Sequence, residues 1–228
     1  MLRKKAFTLT ELLIALSIVG AIAALSLPAL IEDVNRRLLV NQLKNTVVTV
    51  QQLVDQQLIE NNTKKLQDTD FATPATLLSS ANFAIADNCT TVANCWAEKG
   101  SNAQAYKILE TMAYSQPAPG TKTIKLKNGV TLTYYLSTMG GTINDGTKDG
   151  DKCYGLFFVD VNGKDKPNIV GRDFFAFRIT EKGKIVYGTS CNGVDNSSDA
   201  QLATWCKNNS YSTACLAHIQ RNNWKMKY

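Results

Sequence analysis

Two groups of residues in this chain could form disulfides or bind a metal ion: its cysteines and a loop rich in side-chain oxygens. The six cysteines are Cys89, Cys95, Cys153, Cys191, Cys206 and Cys215. An even number of cysteines favours disulfides in an oxidising compartment and metal or redox chemistry in the cytosol. A single histidine in 228 residues excludes the usual multi-histidine metal sites. The role of the cysteines therefore depends on the compartment.

The second group lies in a loop near residue 160 that begins like a calcium-binding loop. The candidate calcium ligands are Asp160, Asn162, Asp165 and Asp173. Gly163 permits the sharp turn that such a loop needs, but Gly171 stands at the twelfth position, where an EF-hand has glutamate. The alternative is that Asp160 and Asn162 only make the hydrogen bonds of Asx-turns.

No motif in the sequence points to catalysis. The chain has no G-x-S-x-G, Walker A or dinucleotide-binding pattern. His218 lies in an amphipathic helical pattern at residues 214–225, where we expect it to be structural. Ser190 has no recognisable base beside it. We therefore do not expect an enzyme.

The element that positions the rest of the chain is an uncharged, mostly apolar run at residues 12–31. As a helix, twenty residues span roughly 30 Å, the thickness of the hydrocarbon core of a bilayer. Arg3, Lys4 and Lys5 precede the run, so we expect the N-terminus to stay cytoplasmic and the bulk of the chain to cross. No small-residue cleavage site follows the run, which indicates a retained anchor.

This topology places every cysteine on the translocated side and favours disulfides over zinc, for which no C-x-x-C pair is present. Short spacings favour the pairs Cys89–Cys95 and Cys206–Cys215, which leaves Cys153 and Cys191 for each other.

Glu11 stands at the edge of the apolar run. A carboxylate at hydrocarbon depth costs on the order of 2.5–3.5 kcal/mol on insertion scales unless it is paired. Glu11 is therefore either a functional group that needs a cationic partner or a side chain in the headgroup zone without a role.

The sequence KKAFTLTELL at residues 4–13, together with the apolar run and Pro28, resembles the N-terminus of type IV pilins and type II secretion pseudopilins. The resemblance implies that a prepilin peptidase cuts between Ala6 and Phe7 and that the new N-terminal Phe7 is methylated. It also implies that Glu11 pairs with the Phe7 amine of a neighbouring subunit, and that Pro28 bends or melts the helix. Ala6 departs from the usual glycine before the cut, and Thr10 from the usual apolar residue. Some pseudopilins hold Ca²⁺ in a C-terminal loop.

The pattern beyond the anchor predicts an α+β, pilin-like fold. Apolar residues recur at steps of three and four, so one helix could run from Phe7 to about Glu60. A hairpin is expected around Asn128-Gly129, followed by further strands, for an antiparallel sheet of four or five strands with disulfide-tied loops. A short helical pattern is present at 103–112. The predicted organisation is a leader at 1–6, a transmembrane and polymerisation helix at 7–31, its amphipathic half at 32–62 and a globular head at 63–228.

Together these features predict a structural subunit of a type IV pilus or type II secretion filament, minor or specialised in role. We expect it in the bacterial inner membrane with its head in the periplasm, or at the cell surface once assembled into a pilus. Expected partners are other subunits, the peptidase and the assembly platform; no cofactor is expected apart from Ca²⁺. Alternatives are an anchored periplasmic enzyme or binding module and a DNA-uptake pseudopilin. Loss of the three leader cations lowers the net charge from +6 to +3, which does not favour nucleic acid.

Overall fold

The computed structural model describes residues 8–89, 95–97, 106–108, 113–114, 122–136, 142–143, 151–187, 197–208 and 212–228. The chain divides into two compact units, the first ending at Leu38 and the second running from Leu39 to Tyr228. The first helix, α1, spans Leu9–Glu60. Its C-terminal bound agrees with the predicted end near Glu60, whereas Phe7 lies outside the described residues.

In the first unit, α1 presents its large apolar side chains outward. Leu16 and Leu25 are 69% and 83% exposed, and α1 is long and apolar enough to cross a membrane. The hydroxyl groups of Ser17 and Ser26 donate to the carbonyl oxygens four residues earlier, at 2.8 and 2.9 Å. Pro28 lies inside the helix and supplies no amide donor to the turn before it. The helix surface up to Ile31 is therefore mostly apolar, and these two serine hydroxyls are bonded to the helix backbone.

In the second unit, α1 buries one face. Val40, Leu43, Val47, Val50 and Val54 are each at most 3% exposed and recur at steps of three and four residues. This spacing confirms the predicted amphipathic face. The face belongs to the same hydrophobic cluster as the aromatic side chains of the sheet.

Ten strands form the sheet of the described residues. They are β1 (Ile85–Asp87), β2 (Tyr106–Ile108), β3 (Ala113–Tyr114), β4 (Thr123–Leu126), β5 (Thr131–Leu136), β6 (Thr142–Ile143), β7 (Asp151–Asp160), β8 (Ile169–Val170), β9 (Phe174–Thr180) and β10 (Ile185–Val186). Their order is β1-β4-β5-β7-β9-β8-β2-β3, with β6 on β7 and β10 on β9. Antiparallel pairing dominates, which confirms the α+β, pilin-like prediction.

The central strands share an aromatic core. The Phe157 and Phe177 rings stack at 5.0 Å between centroids, and Tyr134 packs on Phe157 at 4.7 Å. The Tyr134 hydroxyl donates to the carbonyl of Phe71 at 3.1 Å, which satisfies the polar end of a fully buried ring. The core is therefore formed jointly by β5, β7 and β9 and the segment after α1.

Shorter helices complete the second unit. They are α2 (Pro74–Leu77), α3 (Asp199–Asn208) and α4 (Ser212–Arg221), with single 3₁₀ turns at Leu66–Asp68 and Asp70–Ala72. The sequence pattern missed α3. It also predicted the terminal helix to continue to 225, but Asn223 and Trp224 have positive φ angles of 55° and 56°, which end it.

Two further expectations about this unit are wrong. Residues 106–108 form strand β2 and not a helix, because Tyr106 is buried against Trp96 and Phe174, with ring centroids 6.4 and 4.6 Å away. The sheet is larger than the four or five strands expected, and β2–β8 and β8–β9 pair in parallel. Long-range packing decides both features.

The disulfides Cys89–Cys95 and Cys206–Cys215 are both present, as the short spacings favoured. Cys153 is also disulfide-bonded, and its expected partner Cys191 lies outside the described residues. Cys206 and Cys215 are fully buried and join α3 to α4.

Gly171 lies against the Cys206–Cys215 disulfide, and its substitution should destabilise this part of the protein. A Cβ atom there would come within 2.6 Å of both sulfur atoms, at a φ of +86°. We expect Gly171→Ala to lower the free energy of unfolding by about 2 kcal/mol more than Gly129→Ala, the matched control. Gly129 has a φ of +91° but nothing within 4 Å of its Cβ position, so it isolates the backbone cost. Denaturant unfolding of the full chain in detergent measures both; equal losses would contradict the packing argument.

Candidate functional site

The first turn of α1 begins with a capping box made by Thr8 and Glu11. The Glu11 amide donates to the Thr8 hydroxyl oxygen at 3.2 Å, and the Thr8 amide donates to Glu11 Oε2 at 2.9 Å. The Leu12 amide donates to the Thr8 carbonyl, as expected when Thr8 is the N-cap. This reciprocal pattern satisfies amides that the helix leaves without partners, and it explains why the helix begins at Leu9.

The same contact fixes the Glu11 carboxylate. The Thr8 hydroxyl donates to Glu11 Oε2 at 2.8 Å, so this oxygen accepts two hydrogen bonds from one residue. Glu11 Oε1 has no partner among the residues that the structure describes. One oxygen is therefore occupied locally, and the other is available to a second donor.

Glu11 was predicted from the sequence as a functional residue, whereas Thr8 was not. The signal was present as Thr8-Leu9-Thr10-Glu11, the T-x-x-E spacing of a capping box. The two processing residues, Ala6 and Phe7, lie outside the described residues. Pro28 lies inside α1, with regular helix on both sides of it.

Asp173 closes one end of the loop segment between β7 and β9, which includes the short strand β8. Its two carboxylate oxygens accept hydrogen bonds from the amides of Asn168 and Ile169, both at 2.6 Å, and its carbonyl accepts from the Val161 amide at 2.9 Å. Asp173 is fully buried, and burial raises the pKa of its carboxyl to about 6. The short bonds from backbone amides act against this shift.

Asp160 closes the same loop from the other end. Its Oδ2 accepts a hydrogen bond from the Tyr106 hydroxyl, and its Oδ1 accepts from the Asn162 amide at 3.2 Å. Burial, and then the charge of Asp173, raise the pKa of the Asp160 carboxyl well above its ordinary value. The contact with Asn162 is the Asx-turn considered as the alternative to a calcium ligand.

The structure brings together only part of the predicted calcium set. Asp160, Asn162 and Asp173 lie at the ends of one loop, whereas Asp165 is exposed and contributes its backbone carbonyl to Asn162 at 2.9 Å. Among the described residues, no three His, Cys, Asp or Glu side chains form a metal-binding group. The side-chain oxygens of Asn162 and Asn168 are nevertheless buried without a hydrogen-bond partner.

His218 packs inside the second unit. It is 3% exposed, its Nδ1 lies 2.9 Å from Asp199 Oδ1, and its ring packs against Tyr228 at 5.4 Å. These contacts join α3, α4 and the C-terminal segment, in agreement with the structural role expected from sequence.

Comparison with known proteins assigns only the first segment. The family model of the prokaryotic N-terminal methylation motif matches residues 1–27, which include Thr8 and Glu11. No curated protein and no solved structure matches the chain. The match supports the resemblance of the N-terminal segment to type IV pilins and pseudopilins, and the exposed apolar helix fits an inner-membrane anchor.

The buried carboxyls should make the second unit less stable as the pH rises. A carboxyl whose pKa is higher in the folded than in the unfolded state binds its proton more tightly when folded. The contribution of Asp173 is therefore present below its ordinary pKa of 3.8 and lost as the pH rises through about 6. The pKa of the Asp160 carboxyl is raised in the same way. We expect Asp160→Asn, which mimics the neutral acid, to gain stability relative to the wild type as the pH rises.

The measurement is denaturant unfolding of the full chain in detergent and EGTA across this pH range. Asp165→Asn is the matched control, because Asp165 is exposed. A difference between Asp160→Asn and wild type that does not change with pH would contradict the assignment.

Proposed function

We propose that this type IV pilin-like chain is a structural subunit of a pilus or secretion filament and polymerises through α1. The observation that carries the proposal is a carboxylate fixed at the start of an exposed apolar helix, within a segment that matches the N-terminal methylation motif. The prepilin peptidase cuts between Ala6 and Phe7 and exposes an amine that is then methylated.

In the membrane, Glu11 lies at the start of an apolar helix and needs a cationic partner. The Phe7 amine of a neighbouring subunit supplies that cation, and a surrounding of low dielectric constant strengthens the attraction. Exposed side chains such as Leu16 and Leu25 then lose their contacts with lipid and pack against the helices of other subunits. Because the contact joins different surfaces of successive copies, it repeats along one axis and produces a filament.

The subunit is held in the inner membrane with its head in the periplasm, where the assembly platform adds it to the filament. A minor or specialised role for the subunit is part of this proposal. A second candidate, an anchored enzyme or binding module, has less support. Among the described residues that line a cavity of about 290 Å³ in the second unit, Lys127 is the single ionisable one.

The central test is replacement of Glu11. We expect Glu11→Ala to be inserted and processed normally but to lower filament assembly at least roughly tenfold, because the Phe7 amine loses its partner. Sheared filaments measured in the native host report assembly, and the mass of the mature N-terminus reports cleavage and methylation.

Glu32→Ala is the matched control, because it removes a carboxylate on the same helix that is paired locally with Arg36 at 2.7 Å. It should assemble within about twofold of wild type, as expected for an exposed i,i+4 pair. Normal assembly of Glu11→Ala would refute the role of Glu11, and a mature N-terminus other than Phe7 would refute the processing.

Calcium binding in the loop between β7 and β9 is a separate part of the proposal. The unpartnered side-chain oxygens of Asn162 and Asn168, with the carboxylates of Asp160 and Asp173, fit the preference of Ca²⁺ for oxygen ligands. A bound ion would supply positive charge to two buried carboxyls and hold the loop closed.

The expected result is a melting temperature at pH 7.5 that rises by several degrees when Ca²⁺ is added to EGTA-treated protein. Asn168→Ala should reduce this shift, whereas Asn128→Ala, in a different loop, should not. An unchanged melting temperature in saturating Ca²⁺ would remove calcium from the proposal and leave the filament role untouched.

A further inference from the structure

We infer that Thr8 is the positioning residue for Glu11: its hydroxyl holds one carboxylate oxygen and leaves the other for the amine of the neighbouring subunit. This inference rests on the proposed filament function. It concerns how the carboxylate is presented before assembly, not whether it is needed.

The geometry separates the two oxygens of one side chain. Glu11 Oε2 accepts from the Thr8 hydroxyl at 2.8 Å and from the Thr8 amide at 2.9 Å. The Thr8 hydroxyl oxygen also accepts a hydrogen bond from the Glu11 amide at 3.2 Å. The Thr8 and Glu11 side chains therefore hold each other in place. Oε1 receives no hydrogen bond from the part of the chain that the structure describes.

The hydroxyl matters because the surroundings cannot replace it. The large side chains that follow Glu11 are apolar and exposed, including Leu12, Leu13 and Ile14. A glutamate without the Thr8 hydroxyl would sample several rotamers and would lose one of its two local donors in a medium that supplies few. If the side chain is fixed before the amine arrives, the entropy lost in ordering it is no longer part of the assembly step.

The carboxylate is also held on the N-terminal side of the helix. In a capping box the glutamate reaches back to the N-cap amide, against the direction of the chain. The N-cap is Thr8, which directly follows Phe7 in the sequence. The carboxylate is thus held near the N-terminal end of the helix.

Thr10 provides a matched control within the same turn. It is chemically identical to Thr8 and lies one residue before Glu11, but no hydrogen bond joins its side chain to the Glu11 carboxylate in the described structure. Thr8→Val and Thr10→Val therefore remove the same hydroxyl group, and the inference predicts an effect for the first substitution alone. Thr8→Ser keeps the hydroxyl and should behave as wild type.

The first measurement is made on the full-length chain in lipid nanodiscs, before assembly. Glutamate labelled with ¹³C at Cδ gives a carboxyl signal for Glu11, assigned by its loss in Glu11→Gln. We expect Thr8→Val to shift this signal, with Thr8→Ser and Thr10→Val leaving it in place. An unchanged signal in Thr8→Val would overturn the inference.

The second measurement is filament assembly in the native host, normalised to the processed subunit in the membrane. We expect Thr8→Val to assemble roughly tenfold less than wild type, as for the loss of a hydrogen bond to a charged group, with Thr8→Ser and Thr10→Val within about twofold. If Thr8→Val does not accumulate, Thr8→Ala removes the same hydroxyl without a β-branch.

Equal losses for Thr8→Val and Thr10→Val, or a shifted Glu11 signal with normal assembly, would each overturn the inference. Failure of the filament function itself has a different signature, because Glu11→Ala would then assemble normally whatever residue occupies position 8.

Discussion

The absence of hydrogen-bond partners in hydrocarbon is the constraint on which the first unit depends. In the proposed membrane location, a helix that exposes Leu16 and Leu25 must satisfy most of its polar groups within the chain. Ser17 and Ser26 do so through carbonyls one turn back, and Glu11 does so through Thr8. In the proposed function, Glu11 Oε1, which has no partner in the described part of the chain, is the oxygen left for the amine of another chain.

The second unit obeys the opposite requirement, because its helix face must be covered by protein. The residues from Val40 to Val54 that face inward join an aromatic core built on Tyr134, Phe157 and Phe177. Around this core, Asp173 is buried with both carboxylate oxygens bonded to backbone amides, whereas the side-chain oxygens of Asn162 and Asn168 are buried without a hydrogen-bond partner. The loop that carries Asp160 and Asp173 also reaches the Cys206–Cys215 disulfide through Gly171, so carboxyls, loop and disulfide form one packed region.

Features encoded over a few residues could be predicted, and features encoded by distant contacts could not. The Asn128-Gly129 turn predicted the β4–β5 hairpin, since Gly129 takes the positive φ that the turn needs. The apolar run and the basic residues before it predicted an anchor, which the long exposed apolar helix fits. Strand β2 was missed because Tyr106 is placed by Trp96 and Phe174, which no local pattern reveals. The Thr8 cap is a local signal of four residues, T-x-x-E, which lies just before the apolar run and could be predicted from sequence.

The parallel pairing of β2 with β8 also bears on the time course of folding. Lys107 pairs with Ile169, so this edge of the sheet cannot close until about sixty further residues have been made. At synthesis rates of roughly 5–20 residues per second, the interval lasts several seconds. During that time β2 has an unsatisfied backbone edge and the ring of Tyr106 lacks its contact with Phe174. The segment is consequently exposed to mispairing for longer than any part of the hairpin that follows it, and the last strands to emerge determine when the head becomes native.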